Sequence, residues 1–377
     1  KLLMIIGVLK EPSPETRVSL LPEHISILKK WNVEVCVEST AGMQAFANDQ
    51  QYADAGAKVS SREDVLQSSD LVLSINPPAH NEIDNVKSKV LLGIFQCLFN
   101  TNLIKELAEK GVTVFSMDML PRTTRAQSMD VLSSQANIAG YKAVLLASNK
   151  YPKYFPMFMT AAGSIAPAKL LILGAGVAGL QAIATGKRLG AVVEVFDTRP
   201  AVKEEVMSLG AKFIEVEGAA DASKAGGYAV EQSEDFMKRQ KAKIAESVAK
   251  ADIIITTAQI PGRKAPILIT TEMLETMKAG SVIIDLASAT GGNTDLTKND
   301  QEVTHKGVSI IGNSNLQSSM PSDASKLYGK NILNFLQLMI DKEGKFNLNF
   351  EDDLVKGTCV AHGGAITNDR VKQAIGN

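Results

Sequence analysis

Short apolar runs alternate with stretches of helical spacing along almost the whole chain. Leu3–Val8, Val33–Val37, Leu71–Ile75, Val90–Phe95 and Val112–Ser116 are five or six residues long and rich in Val, Ile and Leu. They read as buried strands. Between them lie helix candidates such as Pro22–Lys30, with Pro at a favoured first-turn position, and Asn102–Lys110. The alternation predicts a parallel sheet with helices on both faces. Near-continuous apolarity, rather than every second residue, supports burial of both sheet faces.

The pattern changes near Gln127. Ala126–Asn149 has no Pro, a single Gly and apolar residues at helical spacing, so it predicts a long helix, ended by Tyr151-Pro152-Lys153 and Pro156. A second series of strands follows at Leu170–Leu173, Val192–Phe196, Phe213–Val216, Ile253–Thr257, Val282–Leu286 and Val308–Ile311. Asp323–Asp341 reads as another long helix, and Asn347–Phe350 and Gly357–Ala361 as short strands. Two long helices at the joins suggest that the chain's end returns to the first lobe. The expected division is 1–135 with 322–377, and 136–321, with a cleft between the two lobes. Gly218–Gly227, rich in Gly, Ala and Ser, reads as a surface loop.

Composition narrows the function. The 377 residues suit two domains at roughly 150 residues each. Forty Lys and Arg balance 41 Asp and Glu, so no basic face for nucleic acid is expected. Cys36, Cys97 and Cys359 are far apart and form no CxxC pair, and the four histidines show no ligand spacing, so neither a disulfide framework nor a metal site is expected. Leu170–Gly186 carries no charge but is 17 residues long and holds four glycines. A membrane span needs about 20 mostly apolar residues, so none is expected.

Those glycines carry a different meaning. Lys169–Leu173 is followed by Gly174-Ala175-Gly176-Val177-Ala178-Gly179 and then a helical stretch from Leu180. This is strand, G-x-G-x-x-G, helix. Gly174 allows the tight turn, Gly176 lets backbone approach a pyrophosphate, and Gly179 lets helix and strand pack closely. The helix N-terminus offers free N–H groups to an anion. A tight turn alone could use the same glycines. The context favours a dinucleotide: the next strand ends at Asp197, 18 residues after Gly179, where an acid accepts from the ribose 2′-OH and repels a 2′-phosphate. NAD(H) is therefore expected rather than NADP(H), although Arg199, two residues on, is of the type that can hold a 2′-phosphate.

Pro121–Tyr141 runs P-R-T-T-R-A-Q-S-M-D-V-L-S-S-Q-A-N-I-A-G-Y. Together with G-A-G-V-A-G, F-D-T-R-P at Phe196–Pro200, G-G-Y at Gly226–Tyr228, G-V-L-K-E near the start and G-T-C-V at Gly357–Val360, this resembles the NAD(H)-binding component of proton-translocating NAD(P) transhydrogenase. The likeness covers nearly the whole chain. The wider superfamily includes alanine dehydrogenase, with the same two-lobed fold and the opening Lys10-Glu11 and Arg17-Val18 pattern. The implied fold is α/β, two Rossmann-like lobes with parallel sheets joined by long helices.

The resemblance implies roles. Arg122, Gln127, Asp130 and Ser133 match the family's catalytic residues around the nicotinamide and its ribose, with Ser128 and Met129 in the same segment. At helical spacing Gln127, Asp130 and Ser133 would share one face near a helix N-terminus. A polar first turn, with Asp and Ser merely capping, would look the same. Ala175, Gly176 and Val177 match the pyrophosphate loop, and Asp197, Thr198 and Arg199 the adenosine-ribose segment. Tyr228 matches a tyrosine on a loop that closes over the nucleotide. Gly227, Gln240 and Gln259 are implied to line the same cleft, although Gln259 stands where an apolar residue is expected before Ile260-Pro261-Gly262.

Chemistry separates the two branches. Alanine dehydrogenase must move a proton as well as a hydride, and carries a lysine and a histidine for this. The corresponding residues here are Asn76 and Gln96, which do not titrate near neutral pH. Arg17 remains, and His80 near Asn76 is either a displaced base or a solvated loop histidine. Direct hydride passage from NADH to NADP⁺ needs no general base, only placement. With a single complete glycine fingerprint, NADP(H) is expected on a separate component. A homodimer, partnered by that component and a membrane proton channel, is the implied assembly, peripheral on a cytosolic or matrix face. The alternatives are an alanine dehydrogenase-like oxidoreductase and a non-catalytic NAD(H)-binding module.

Overall fold

The computed structural model describes residues 4–218 and 233–376. The chain divides into two compact units, 1–135 with 318–377 and 136–317. The division falls within the helix Val131–Lys150.

The first unit opens with six parallel strands: β1 Ile5–Val8, β2 Glu34–Glu38, β3 Lys58–Ser60, β4 Leu71–Leu73, β5 Val90–Gly93 and β6 Thr113–Ser116. The second contains the hairpin β7 Phe158–Thr160 and β8 Gly163–Ile165, then β9 Lys169–Leu173, β10 Val192–Phe196, β11 Lys212–Phe213, β12 Ile253–Thr256, β13 Val282–Asp285, β14 Gln301–His305 and β15 Val308–Gly312. The chain then returns to the first unit with the helix Pro321–Leu336, β16 Cys359–His362 and β17 Ala365–Ile366.

The first sheet has the order β17-β16-β6-β5-β4-β1-β2-β3 and the second β11-β10-β9-β12-β13-β15-β14. Both contain the doubly wound order in which the strand sequence reverses beside the first strand. The switch points lie between β1 and β4, and between β9 and β12. Strands β4, β6, β12 and β13 are buried at every residue, as their unbroken apolar runs require. Separate apolar clusters pack the two faces of each sheet: one around Ile6, Leu71 and Phe115 and one around Val72, Leu91 and Val114 in the first unit. In the second, Ile172 and Ile255 face one cluster, Leu171 and Ile254 the other.

The sheets are parallel except at their edges. β14 pairs antiparallel with β15, and β16 antiparallel with β6 and β17. The cause at two of these joins is the turn. Lys306 and Gly307 connect β14 to β15 with φ of 46° and 79°, and Gly363 and Gly364 connect β16 to β17 with φ of 60° and 83°. Two consecutive left-handed residues make the tight hairpin whose twist matches antiparallel strands.

Other boundaries move. The helix expected from Ala126 starts at Val131, after a 3-10 turn at Thr124–Met129. The helix expected to reach Asp341 ends at Leu336. Asn347–Phe350 forms no strand; only Phe346 bridges, to Ile340, because Asp341 accepts from the N–H groups of Glu343 and Lys345 and bends the chain. At Phe213–Val216 the strand is confined to Lys212–Phe213.

Candidate functional site

In the second unit the predicted glycine loop leaves β9 at the switch point, where such sheets bind ligands. Gly174 has φ of +107°, a conformation that suits glycine. A Cβ on Gly179 would overlap the Gly174 carbonyl, so helix and turn touch only because no side chain intervenes. A Cβ on Gly176 would meet nothing within 4 Å. Open space therefore faces the start of the helix Val177–Arg188, which has no side-chain cap on its first N–H groups. An anionic pyrophosphate fits this site: uncapped donors, a positive helix end and room for close approach.

The next strand brings Asp197 to the same loop. Its Oδ2 accepts from the Ala175 N–H at 2.7 Å, so the carboxylate and the glycine turn are one structure. Arg199 folds onto the same carboxylate. Its backbone N–H and Nε donate to Oδ1 at 2.8 and 2.9 Å, and Nη2 donates to Oδ2 at 2.7 Å. The carboxylate raises the Arg199 pKa further above its ordinary value. Thr198 lies between them, half-buried. Gln240 is carried by the helix Glu234–Lys250; its Oε1 is buried and meets no donor among the described residues. Gln259 follows β12 and is exposed, its amide donating to the Leu286 carbonyl at 3.1 Å. Gly227 and Tyr228 lie outside the described residues.

In the first unit Arg122, Gln127, Ser128 and Met129 follow β6. Arg122, Gln127 and Ser128 are exposed and Met129 is buried. The shared helical face expected for Gln127, Asp130 and Ser133 is not formed. Asp130 interrupts the chain between the 3-10 turn and the helix, with ψ of 90°. Its Oδ1 accepts from the Ser133 N–H at 2.9 Å and its Oδ2 from the Ser133 hydroxyl at 2.6 Å. Asp130 therefore caps the helix: a short carboxylate satisfies an otherwise orphan N–H and starts the helix there.

Residues not singled out in the sequence hold this turn. Asn331 and Asn334 both donate to the Ser128 carbonyl, at 2.8 and 2.9 Å. Arg125 pairs with Asp352 through Nη1 and Nη2, both at 2.7 Å, and with Asp353. Asp352 caps the helix Asp353–Thr358. The Asp-Asp pair before an apolar run was readable as a cap; its partner Arg125 was not.

The switch point of the first unit is filled by its own side chains. Glu11, on the loop after β1, accepts from the N–H groups of Ile75 and Asn76 at 2.6 and 3.1 Å and from Asn76 Nδ2 at 3.0 Å. Burial pushes its carboxyl above the usual range, against the pull of these donors. Arg17 is buried and bound by Glu15, Nε to Oε1 at 2.8 Å and Nη2 to Oε2 at 2.7 Å, while Nη1 donates to Gln135. Its charge is met inside the fold. Gln96 is exposed with φ of +48°. His80 opens the 3-10 helix His80–Val86, is 83% exposed and lies 3.1 Å from Glu106.

Two family models match this chain: the N-terminal domain of alanine dehydrogenase/PNT over residues 7–139 and the C-terminal domain over 143–369. The first part of the NAD(P) transhydrogenase subunit alpha of Rickettsia prowazekii is 42% identical over 98% of this chain and 97% of that protein. Its counterpart from Rhodospirillum rubrum is 45% identical over 97% and 98%. The chain belongs to the alanine dehydrogenase/PNT family, among the transhydrogenase alpha subunits. The solved structure of transhydrogenase from Sinorhizobium meliloti superposes with a TM-score of 0.88 at 45% identity, over 96% of this chain and 99% of that one. The chain thus has the two-domain α/β fold of a solved transhydrogenase.

No helix among the described residues is long and apolar enough to cross a membrane. No group of three or more His, Cys, Asp or Glu among them could hold a metal ion.

Proposed function

We propose that this chain binds NAD(H) and presents it for direct hydride transfer to NADP(H) held by a separate component of a proton-translocating transhydrogenase. The observation that carries the reading is the open face of Gly176 beneath the uncapped helix, tied through Ala175 to the Asp197 carboxylate. Gly174, Ala175, Gly176, Val177 and Gly179 hold the pyrophosphate; Asp197, Thr198 and Arg199 surround the adenosine ribose; Gly227, Tyr228, Gln240 and Gln259 complete the nucleotide contacts. Arg122, Gln127, Ser128, Met129, Asp130 and Ser133 hold the nicotinamide end. The bound nucleotide supplies the hydride. The protein's part is placement, since hydride passage between two nicotinamides releases no proton at that step.

The first unit supports this reading over amino-acid oxidation. Asn76 is occupied by Glu11, Gln96 carries no base, and the Arg17 charge is compensated by Glu15. An alanine dehydrogenase-like site needs a titrating base and a cation for the substrate carboxylate.

The assembly proposed is a homodimer with an NADP(H)-binding and a proton-channel component, peripheral to the cytosolic or matrix face of a membrane. The hairpin β7–β8 supports the dimer. Met157, Phe158, Met159 and Ile165 are all exposed, and Phe158 stacks on exposed Tyr154 with centroids 5.1 Å apart. A second copy is the partner we assign to this patch.

The test is a cyclic hydride-exchange assay with purified NADP(H)-binding component added. Exchange between NADH and a nicotinamide analogue, dependent on that component and on NADP(H), is expected. NADH oxidation driven by pyruvate and ammonia, or no exchange at all, overturns the reading.

A further inference from the structure

The Asp197 carboxylate is full. Each oxygen accepts two hydrogen bonds: Oδ1 from the backbone N–H and Nε of Arg199, Oδ2 from Ala175 N–H and Arg199 Nη2. An ionised carboxylate offers about four acceptor positions, so none is left for a ribose hydroxyl. Two of the four donors are backbone groups fixed by the turn. The other two belong to one guanidinium, and a side chain can rotate away. The pair is also sheltered, with side-chain exposures of 16% for Arg199 and 5% for Asp197.

We infer that Arg199 is a specificity-determining residue: a latent 2′-phosphate receptor that Asp197 holds out of use, and that NAD(H) displaces from the carboxylate when its ribose binds. This rests on the nucleotide reading above. Guanidinium and ribose compete for the same two acceptor positions. A ribose diol donates two hydrogen bonds and can replace the two guanidinium donors. A 2′-phosphate only accepts, so it cannot replace them, and it brings negative charge beside Asp197. With the charge of Asp197 removed, the same guanidinium becomes the natural partner for a phosphate. Discrimination then comes from the pair, in which the acid both repels the wrong nucleotide and occupies the cation that would receive it.

The experiment measures NADH and NADPH binding to the full chain by nucleotide fluorescence, for the wild type, Asp197→Asn, Arg199→Met and the double variant. NADH is expected to bind the wild type far better than NADPH. Asp197→Asn is expected to raise NADPH affinity by about tenfold or more, the size of one charge-assisted hydrogen bond, and Asp197→Asn with Arg199→Met to lose most of that gain, keeping only the part that comes from relieved repulsion. An equal gain with Met at 199, or no gain in Asp197→Asn, overturns the inference. Because Asp197→Asn also weakens the tie to Ala175 and can impair folding, Arg199→Met alone provides a second reading. It removes the competing donors and is expected to tighten NADH binding several-fold; unchanged or weaker binding overturns the displacement. If the wild type binds neither nucleotide, the functional reading itself has failed, which is a different outcome from a wild type that binds NADH without any dependence on Arg199.

Discussion

The two units share a strand order but use its reversal point in opposite ways. In the second, the loop after the first strand is glycine, and its neighbour across the switch point is only a hydroxyl: Thr257 Oγ1 donates to the Gly174 carbonyl at 3.0 Å. In the first, the equivalent loop carries Glu11, which reaches across to the loop after β4 and binds two of its N–H groups. One crevice is left open by residues without side chains. The other is closed by a buried carboxylate and a buried Glu15–Arg17 pair. A doubly wound sheet thus supplies a place where loops diverge, and the side chains decide whether anything enters.

Substitution in the glycine loop tests the open side most severely. Gly179→Val is expected to cost more than about 4 kcal/mol, because its Cβ would overlap backbone rather than a flexible side chain. Gly176→Val points into empty space at φ of −76° and is expected to fold normally while lowering NADH affinity more than about tenfold. Melting curves beside NADH titrations separate the two. If Gly176→Val binds NADH like the wild type, the open crevice is not the pyrophosphate site. On the closed side, Arg17→Met is expected to cost about 3–5 kcal/mol, since it removes the guanidinium that neutralises the buried Glu15 carboxylate. Trp31 is the sole tryptophan and lies in the first unit, so its fluorescence in urea follows that unit. A loss below about 1 kcal/mol would mean that the pair is not the closure described.

Where local chemistry dictated structure, the sequence was readable. The Val/Ile/Leu runs became central strands, and the glycine fingerprint with Asp197 became a turn and its tethered acid. What escaped depended on partners distant in the chain. Glu11 finds Asn76, Arg125 finds Asp352, and two asparagines of one helix find the Ser128 carbonyl, and no periodicity announces any of these. The hairpin edges were a different miss. Lys306-Gly307 and Gly363-Gly364 are local turn signals, outweighed by the alternation that implied uniformly parallel sheets. The Asp130 break was also local, since an acid before a helix competes for its first N–H groups.

Acid should loosen the closed unit in a defined way. His24 is buried in the first unit, its Nδ1 accepting from the Leu21 N–H at 2.9 Å, and burial holds its pKa below 6.5. Below about pH 6.5 the unfolded chain binds a proton that the folded chain refuses. Stability is therefore fully present above that pH and falls as the pH drops towards the folded value, by up to about 1.4 kcal/mol per unit. Glu11 and Asp118, which burial pushes up, act in the opposite sense, gaining stability on protonation. His24→Gln should thus abolish or reverse the slope between about pH 6.5 and 4.5 in Trp31-monitored unfolding, above the range in which the paired carboxylates Glu82 and Asp352 begin to protonate. A slope unchanged from the wild type would remove His24 as its source.

The smallest effect decides the most about the nicotinamide end. Asp130 caps a helix, and a cap is worth about 1 kcal/mol. Asp130→Ala should lose that amount. Asp130→Asn keeps an acceptor for the Ser133 N–H and should recover most of it. If capping is the whole role of Asp130, the Asn variant also recovers the rate of hydride exchange. If its charge orders the nicotinamide contacts, stability returns while the rate stays low with little change in NADH affinity. Gln127→Asn supplies the control, because Gln127 is exposed and its shortening should leave stability unchanged while slowing exchange more than it weakens NADH binding. Equal losses of rate and affinity at Gln127 would assign it to binding alone. Placement of the nicotinamide would then fall to Asp130 and to the asparagines that fix the Ser128 carbonyl.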